Sequence, residues 1–379
     1  MFGLHAGQSA VAVGVQIDTA SRIVVAGGYI AGARSCIIAR FLPDGSRDPS
    51  FGASGVVRQS VGQSVCWYND LALQNDGRIV AFGEIDGHTR PRALLSRYLP
   101  DGSLDPTFGD GGIVLFSSSP ITSAMAVVID AEQRILIAGQ AEENGTAAFF
   151  TRRYQSDGSV DLSFGDNGQA QGAFITGRDI AYDLSIQADG KILVVGGAVS
   201  PDSGLSDFGI VRYLDDGSRD MTFGSMGLLT LTLGPHSEAT GVALDSLGRS
   251  IVAGAVEQSG AIVRLLEDGS LDPSFAADGT LVESSPAALG YSSVAVVTDD
   301  TILAVGTSMS GTGEIAVSRY LPDGQRDYTF GTNGFAQSLP LPYRQVGWDI
   351  AGQSDGRVVV VGGYGNNASF DMLVARYCR

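Results

Sequence analysis

Carboxylates, aromatic rings and arginines gather at one recurring place in this sequence. Asp70, Asp183 and Asp349 share an aligned position whose other occupants are Gly14, Ala126, Gly241 and Ser293. Close by stand Trp67, Tyr68, Asn69, Arg178, Tyr182, Arg344 and Trp348. Both tryptophans of the chain fall in this region. Carboxylates and aromatic rings around a concavity are common features of ligand sites, and here they would suit a cation, a sugar or a basic peptide. The competing reading is structural: the aspartates cap turns and the aromatics pack between neighbouring units. The structural reading is the expectation, because pattern alone is weak evidence for a site.

A second constellation pairs charges at fixed spacing. An arginine precedes an aspartate by eight residues in Arg40/Asp48, Arg97/Asp105, Arg153/Asp161, Arg212/Asp220, Arg264/Asp272 and Arg319/Asp327. Six anion sites are one reading. Repetition favours the other, a charge pair or turn cap that every unit needs at the same corner. The intervening DGSxD spacing offers calcium some oxygens, but fewer than the 6 to 8 it takes, and Asp-Gly is a strong hairpin signal. No cofactor is expected, a channel cation such as calcium being the one exception the carboxylates would admit. His5, His88 and His236 form no metal-binding spacing. There is no GxSxG elbow, and no helix follows any glycine-rich stretch to cradle a phosphate. Cys36, Cys66 and Cys378 form no metal or redox spacing and are expected to be buried, reduced thiols in strands.

The elements that must hold these groups are repeats. FLPDGSRDPSFG begins at Phe41, YLPDGSLDPTFG at Tyr98, YQSDGSVDLSFG at Tyr154 and YLDDGSRDMTFG at Tyr213. LLEDGSLDPSFA follows at Leu265 and YLPDGQRDYTFG at Tyr320. The period is about 56 residues, from first aspartates at Asp44, Asp101, Asp157, Asp216, Asp268 and Asp323. A hairpin segment of the SRIVVAGG type recurs seven times on the same period, from Ser21 to Gly356. A strand ending in arginine also recurs seven times, at Arg40, Arg97, Arg153, Arg212, Arg264, Arg319 and Arg376. Strand, polar turn, strand is the hairpin pattern, and no stretch keeps a helical period.

Each unit therefore holds four short strands, A to D. Sheets this small cannot bury both faces alone and must stack, and seven of them close a ring. The expected fold is all-β: a seven-bladed β-propeller of four-stranded antiparallel blades, one domain over residues 1–379. After Arg376 the sequence holds three more residues and no turn motif. Residues 1–9 are expected to close the last blade as an irregular strand, the alternative being a three-stranded blade. Either way the two ends lie side by side.

The LPDGSLDPTFG-type segments and QADGKILVVGG-type hairpins resemble the delta-60 repeat β-propeller family, mostly bacterial proteins of unknown function. The resemblance spans almost the whole chain. It implies the propeller fold and carries no catalytic constellation to transfer.

Composition narrows the function further. Length alone, 379 residues, would suggest two or three domains at roughly 150 residues each; the repeat replaces that estimate. Glycine, at 52 residues, is about double its usual share, as many turns require. A net charge of −17 disfavours nucleic acid. No apolar run approaches the roughly 18 residues of a membrane span. The first residues lack a basic, apolar, cleavable pattern, so a cytoplasmic protein is expected unless a leader has been removed. The functional expectation is a non-catalytic, monomeric binding or scaffold module for a protein or carbohydrate. Its docking face would be formed by the D–A and B–C loops, the longest being Glu84–Arg92 and Ala198–Phe208. The alternative is a hydrolase or lyase acting on a carbohydrate or lactone at the channel mouth.

Overall fold

Alternating and apolar runs of two to nine residues, broken by Asp-Gly turns, fold into seven four-stranded antiparallel sheets. The computed structural model describes residues 2–3, 10–29, 35–62, 64–86, 92–116, 121–143, 146–172, 174, 178–200, 203–283, 290–308, 313–338, 341–366 and 369–377. Blade 1 consists of Ala10–Ile17, Ile23–Tyr29, Ser35–Phe41 and Val56–Gln59, strands A to D in sheet order. The A strands of blades 2 to 7 are Val65–Leu73, Ile121–Ile129, Ile180–Ile186, Ser237–Leu244, Tyr291–Val296 and Arg344–Gly352. The only helical piece among the described residues is one 3-10 turn, Thr298–Asp300.

The blades close a ring of seven. Strand A of blade 1 lies against strand A of blade 2 on one side and of blade 7 on the other. Each of seven apolar clusters is shared by two adjacent blades. Phe82 and Leu95 of blade 2 meet Ile137 and Phe150 of blade 3, for example, and Val25 and Ile37 of blade 1 meet Val361 and Val374 of blade 7. A four-stranded sheet is hydrophobic on both faces here, so no blade is complete without its two neighbours.

The last blade is completed by the start of the chain. Phe2–Gly3 occupies the outer position of blade 7, with Phe2 opposite Val374 and Gly3 opposite Leu373. The short closing strand read from residues 1–9 is thus present at residues 2 and 3, and the two ends meet.

The Arg/Asp repeat is the joint between blades. In blade 1, Arg40 Nε donates to Asp48 Oδ2 at 2.8 Å and the guanidinium lies 4.6 Å from the Phe51 ring centroid. Its Nη1 crosses to blade 2 and donates to the Pro100 carbonyl at 2.6 Å. Beside it, the Gly52 N–H donates to the Asp101 carbonyl. Arg97, Arg153, Arg212 and Arg264 repeat the arrangement, reaching the carbonyls of Ser156, Asp215, Glu267 and Pro322. Five of the Asp-Gly turn glycines, Gly102, Gly158, Gly217, Gly269 and Gly324, fit against the preceding blade. Gly102 has φ +90, and a Cβ there would meet the Phe51 ring and the Gly52 nitrogen at 3.1 and 3.0 Å. The first aspartate of each turn is spent locally: Asp44 Oδ1 accepts from the Ser46 N–H and hydroxyl. The DGSxD oxygens are turn caps.

One expectation changes. Cys36, in strand C of blade 1, and Cys66, in strand A of blade 2, are buried in strands as expected, but they form a disulfide across the blade boundary, with Cα atoms 4.9 Å apart. Their separation of 30 residues matches no motif; the ring brings them together. Cys378 lies outside the described residues.

Two outcomes follow. Arg212 is 1% exposed and holds Asp220, Phe223 and Glu267 together. Arg212→Ala leaves a buried carboxylate unpaired and should lower the unfolding free energy in urea by about 3–5 kcal/mol; an unchanged midpoint would contradict the joint. Reduction of Cys36–Cys66 should cost about 2–4 kcal/mol, and peptide mapping of the unreduced protein should recover the two cysteines linked.

Candidate functional site

A β-bulge breaks the register of every A strand immediately before the aligned position. Bulges insert one unpaired residue and re-aim side chains. The inserted residues are Val13, Asn69, Met125, Tyr182, Thr240, Ser292 and Trp348. All seven line one chamber of the central channel, with a volume of about 340 Å³. The residues after the bulge line a second chamber of about 380 Å³ on the side of the A–B turns. Asp70, Asp183, Ser293 and Asp349 border both chambers, so these side chains form the waist between them.

Each waist carboxylate clamps two blades. Asp70 accepts from its neighbour Leu71 N–H at 2.7 Å and from Val127 N–H of blade 3 at 2.8 Å. Asp183 accepts from Leu184 and from Val242 of blade 5, and Asp349 from Ile350 and from Val15 of blade 1. Asp349 also accepts from the Ser293 hydroxyl of blade 6 at 2.7 Å. Acidic and small residues alternate round the ring for steric reasons. A Cβ on Gly14 would sit 3.1 Å from the Asp70 Cα, and one on Gly241 3.1 Å from the Ser293 Cα. Seven is odd, so strict alternation fails once, between blades 5 and 6, where Gly241 adjoins Ser293, and the Ser293 hydroxyl donates to Asp349 of blade 7.

Burial raises all three carboxyls. Asp183 is lifted to about 7 by burial, opposed by the Val242 and Leu184 N–H groups and helped by the charge of Asp349. Asp70 is raised well above its ordinary value by burial and by Asp349 and Asp183, and burial raises Asp349 as well. The joint carboxylates go the other way. Burial works against Asp105, but Thr107, Arg97 and Arg78 hold it at about 2.

The residues singled out from the sequence separate into three groups. Asp70, Asp183, Asp349, Asn69, Tyr182 and Trp348 converge on the channel. Trp67 instead packs on Gly28 of blade 1, whose missing Cβ makes room for its indole, and Tyr68 is buried with its hydroxyl 2.7 Å from that of Tyr98. Arg178 and Arg344 are exposed and line neither chamber. Alignment on strand B did not identify Val13, Met125, Thr240 and Ser292, because it does not reveal the bulge. The signal available was position: each stands one residue before the aligned site. Among the described residues no group of three or more His, Cys, Asp and Glu is arranged to hold a metal ion.

The family model for a β-propeller domain of unknown function, DUF5122, matches residues 21–51, 74–108, 134–164, 187–223, 248–275 and 298–330. The chain belongs to this family. The six matches run from the strand-B hairpins to the Phe of each turn motif, the segments that build the joints. No curated protein matches the chain. Among solved structures, the propeller domain of the trilobed protease of Pyrococcus furiosus matches at TM-score 0.52 and 8% identity, covering 100% of this chain and 94% of that one. YCF48 bound to D1 peptide matches at TM-score 0.50 and 12% identity, over 100% and 94%. The gluconolactonase XC5397 of Xanthomonas campestris matches at 0.45 and 14%, over 99% and 100%. Likenesses this remote in sequence show the shared fold alone.

The raised carboxyls set a pH signature. Asp183 binds its proton more tightly in the folded chain, near 7, than at its ordinary 3.8. Its contribution to stability is therefore complete below about pH 4 and is lost as pH rises through 7. The turn and joint carboxylates, held low, lose their contribution only below that window. Thermal unfolding followed from pH 4 to 8 should show a smaller decline in Asp183→Asn than in the parent protein. Parallel curves would place the Asp183 carboxyl in water.

Proposed function

We propose that this protein is a non-catalytic β-propeller binding or scaffold module, holding a protein or carbohydrate ligand at the chamber on the D–A and B–C loop side of the channel. The observation that carries the reading is a contrast between radii. The outer joints repeat the same Arg, Asp, Phe and Asp-Gly groups blade after blade. The seven chamber residues, Val13, Asn69, Met125, Tyr182, Thr240, Ser292 and Trp348, differ in every blade. A surface that varies on a uniform frame is where specificity resides. The waist carboxylates support the same reading, since each is engaged by two or three donors from adjoining blades and serves as a clamp. The Cys36–Cys66 disulfide favours an oxidising compartment over the reducing cytoplasm. No described helix is long and apolar enough to cross a membrane.

One observation favours a second reading, a hydrolase or lyase acting on a carbohydrate or lactone. Asp183, at about 7, lies in the range where a carboxyl exchanges protons at neutral pH. Turnover of a panel of sugar lactones, abolished in Asp183→Asn, would establish it in place of the binding module.

The binding reading is tested on panels of oligosaccharides and of peptides containing Arg or Lys. Tyr182 and Trp348 supply the large rings of the chamber, the side-chain types that dominate binding energy. Trp348→Ala should weaken any bound member at least tenfold while leaving the melting temperature within a degree or two. Binding that survives both Trp348→Ala and Tyr182→Ala would exclude the chamber.

A further inference from the structure

Hydrogen-bond donors and acceptors are unequally engaged in the chamber lined by the bulge residues. Asn69 Nδ2 donates to the Ala124 carbonyl at 2.6 Å, Thr240 Oγ1 to the Tyr291 carbonyl at 2.6 Å and Ser293 Oγ to Asp349 at 2.7 Å. The Tyr291 hydroxyl is paired with that of Tyr320, and the Tyr182 hydroxyl is directed at Glu238. These donors are all turned into the wall. Of the side chains lining this chamber, only Ser292 and Trp348 keep a donor that no described residue accepts.

Acceptors are left over. Five of the six waist carboxylate oxygens accept a single N–H each, although such an oxygen has two lone pairs. Asn69 Oδ1 accepts from no described residue. No described Lys, Arg or His lines either chamber. The three carboxyls therefore share a narrow channel without a counter-cation, and in the free protein protons balance them. The carboxyls come from blades 2, 4 and 7, which stand two, three and two blades apart in the ring of seven, close to threefold. Among the described residues no three such groups are placed to ligate a metal ion, which favours a cation with donors of its own. Above the waist the wall carries Val13, Met125, Tyr182 and Trp348.

We propose that the channel holds a primary alkylammonium group, its three N–H directed at the waist carboxylates and its methylene chain rising along Trp348 and Tyr182. The proposal rests on the channel's being the binding site and names the chemistry it selects. An ammonium has three donors and no acceptor, the complement of this lining, and aromatic faces attract it. A neutral sugar fits less well, because its hydroxyl oxygens also need donors and the wall offers two. The group can arrive as a free linear amine or as a lysine side chain of a partner protein; the chemistry at the waist is the same. The titratable groups about Asp183 are Asp70 and Asp349 at the waist, and Tyr182 with its partner Glu238 above. An entering cation replaces the proton on Asp183, which passes to solvent. Amines keep their charge up to about pH 10, so binding should tighten about tenfold from pH 6 to pH 8 as the carboxyl near 7 ionises.

The probes are diaminopentane and the peptide acetyl-Gly-Lys-Gly-amide, titrated into the 379-residue protein by calorimetry at pH 6 and pH 8. One-to-one binding is expected, tighter at pH 8 and accompanied by proton release. The same peptide acetylated on its lysine should bind about tenfold more weakly or worse, through loss of the charge. Tighter binding of the peptide assigns the ammonium to a partner protein, tighter binding of the diamine to a free amine, and either supports the proposal. These probes report on the unaltered protein, so the test holds even if Asp183→Asn fails to fold; where it folds, the pH dependence should shrink. Equal binding of the acetylated peptide, binding that weakens from pH 6 to pH 8, or no binding of either amine at millimolar concentration would each overturn the proposal. An oligosaccharide bound through Trp348, with neither amine bound, would overturn it too and leave the binding module standing.

Discussion

A buried guanidinium shared between two blades is the interaction on which this ring depends. An arginine taken out of water must have its charge paired and its donors satisfied, or it costs more than packing returns. Here the satisfaction is divided. One aspartate and one phenylalanine come from the arginine's own blade, and one carbonyl comes from the next. The charge cannot be fully buried until the neighbour is in place. Blade docking and charge pairing are thus a single event, and the spacing Arg, Asp at eight, Phe at eleven is fixed by it.

The inner radius solves a different problem. Seven A strands crowd the axis, and their backbones approach closely enough that side chains at the waist must alternate in size. Aspartates on blades 2, 4 and 7 reach across to backbone N–H groups of the following blade, and the facing positions shrink to Gly or Ala. At the outside of blade 7, Phe2–Gly3 pairs with Val374 and Leu373. At the inside it is clamped to both neighbours. Asp349 takes contacts from blade 6 through Ser293 and from blade 1 through Val15. Inner clamp and outer joint are complementary devices, and both are present where blade 7 meets blade 1. The waist carboxyls bond adjoining blades together, and their burial in a narrow channel raises their affinity for protons.

Much of this architecture was legible in the residues. Repeated DGSxD, FG and Arg-aromatic segments announce their turns and strands because local chemistry dictates them: Asp-Gly adopts a left-handed corner, alternating apolar residues pair as strands, and a fixed Arg-to-Asp offset reflects one hairpin. The carboxylates of blades 2, 4 and 7 could be brought to one ring position by counting alone. Trp67 could not be separated from Trp348 in the same way. The two aromatics stand near equivalent places, yet one packs against Gly28 and the other faces the channel. A bulge moves the chain by one residue, and a one-residue move reverses the face of a side chain.

The number of blades, their four strands and the site of each turn were therefore set by local spacing, which repeats and can be counted. Contacts between units that are distant in sequence were decided by the ring itself. The Cys36–Cys66 bond, the clamp from Asp349 to Val15, and the exposure of Arg178 and Arg344 all arise from which blade meets which, and at what radius. Phe2 meets Val374 from the far side of the sequence, and that contact exists only because the ring closes.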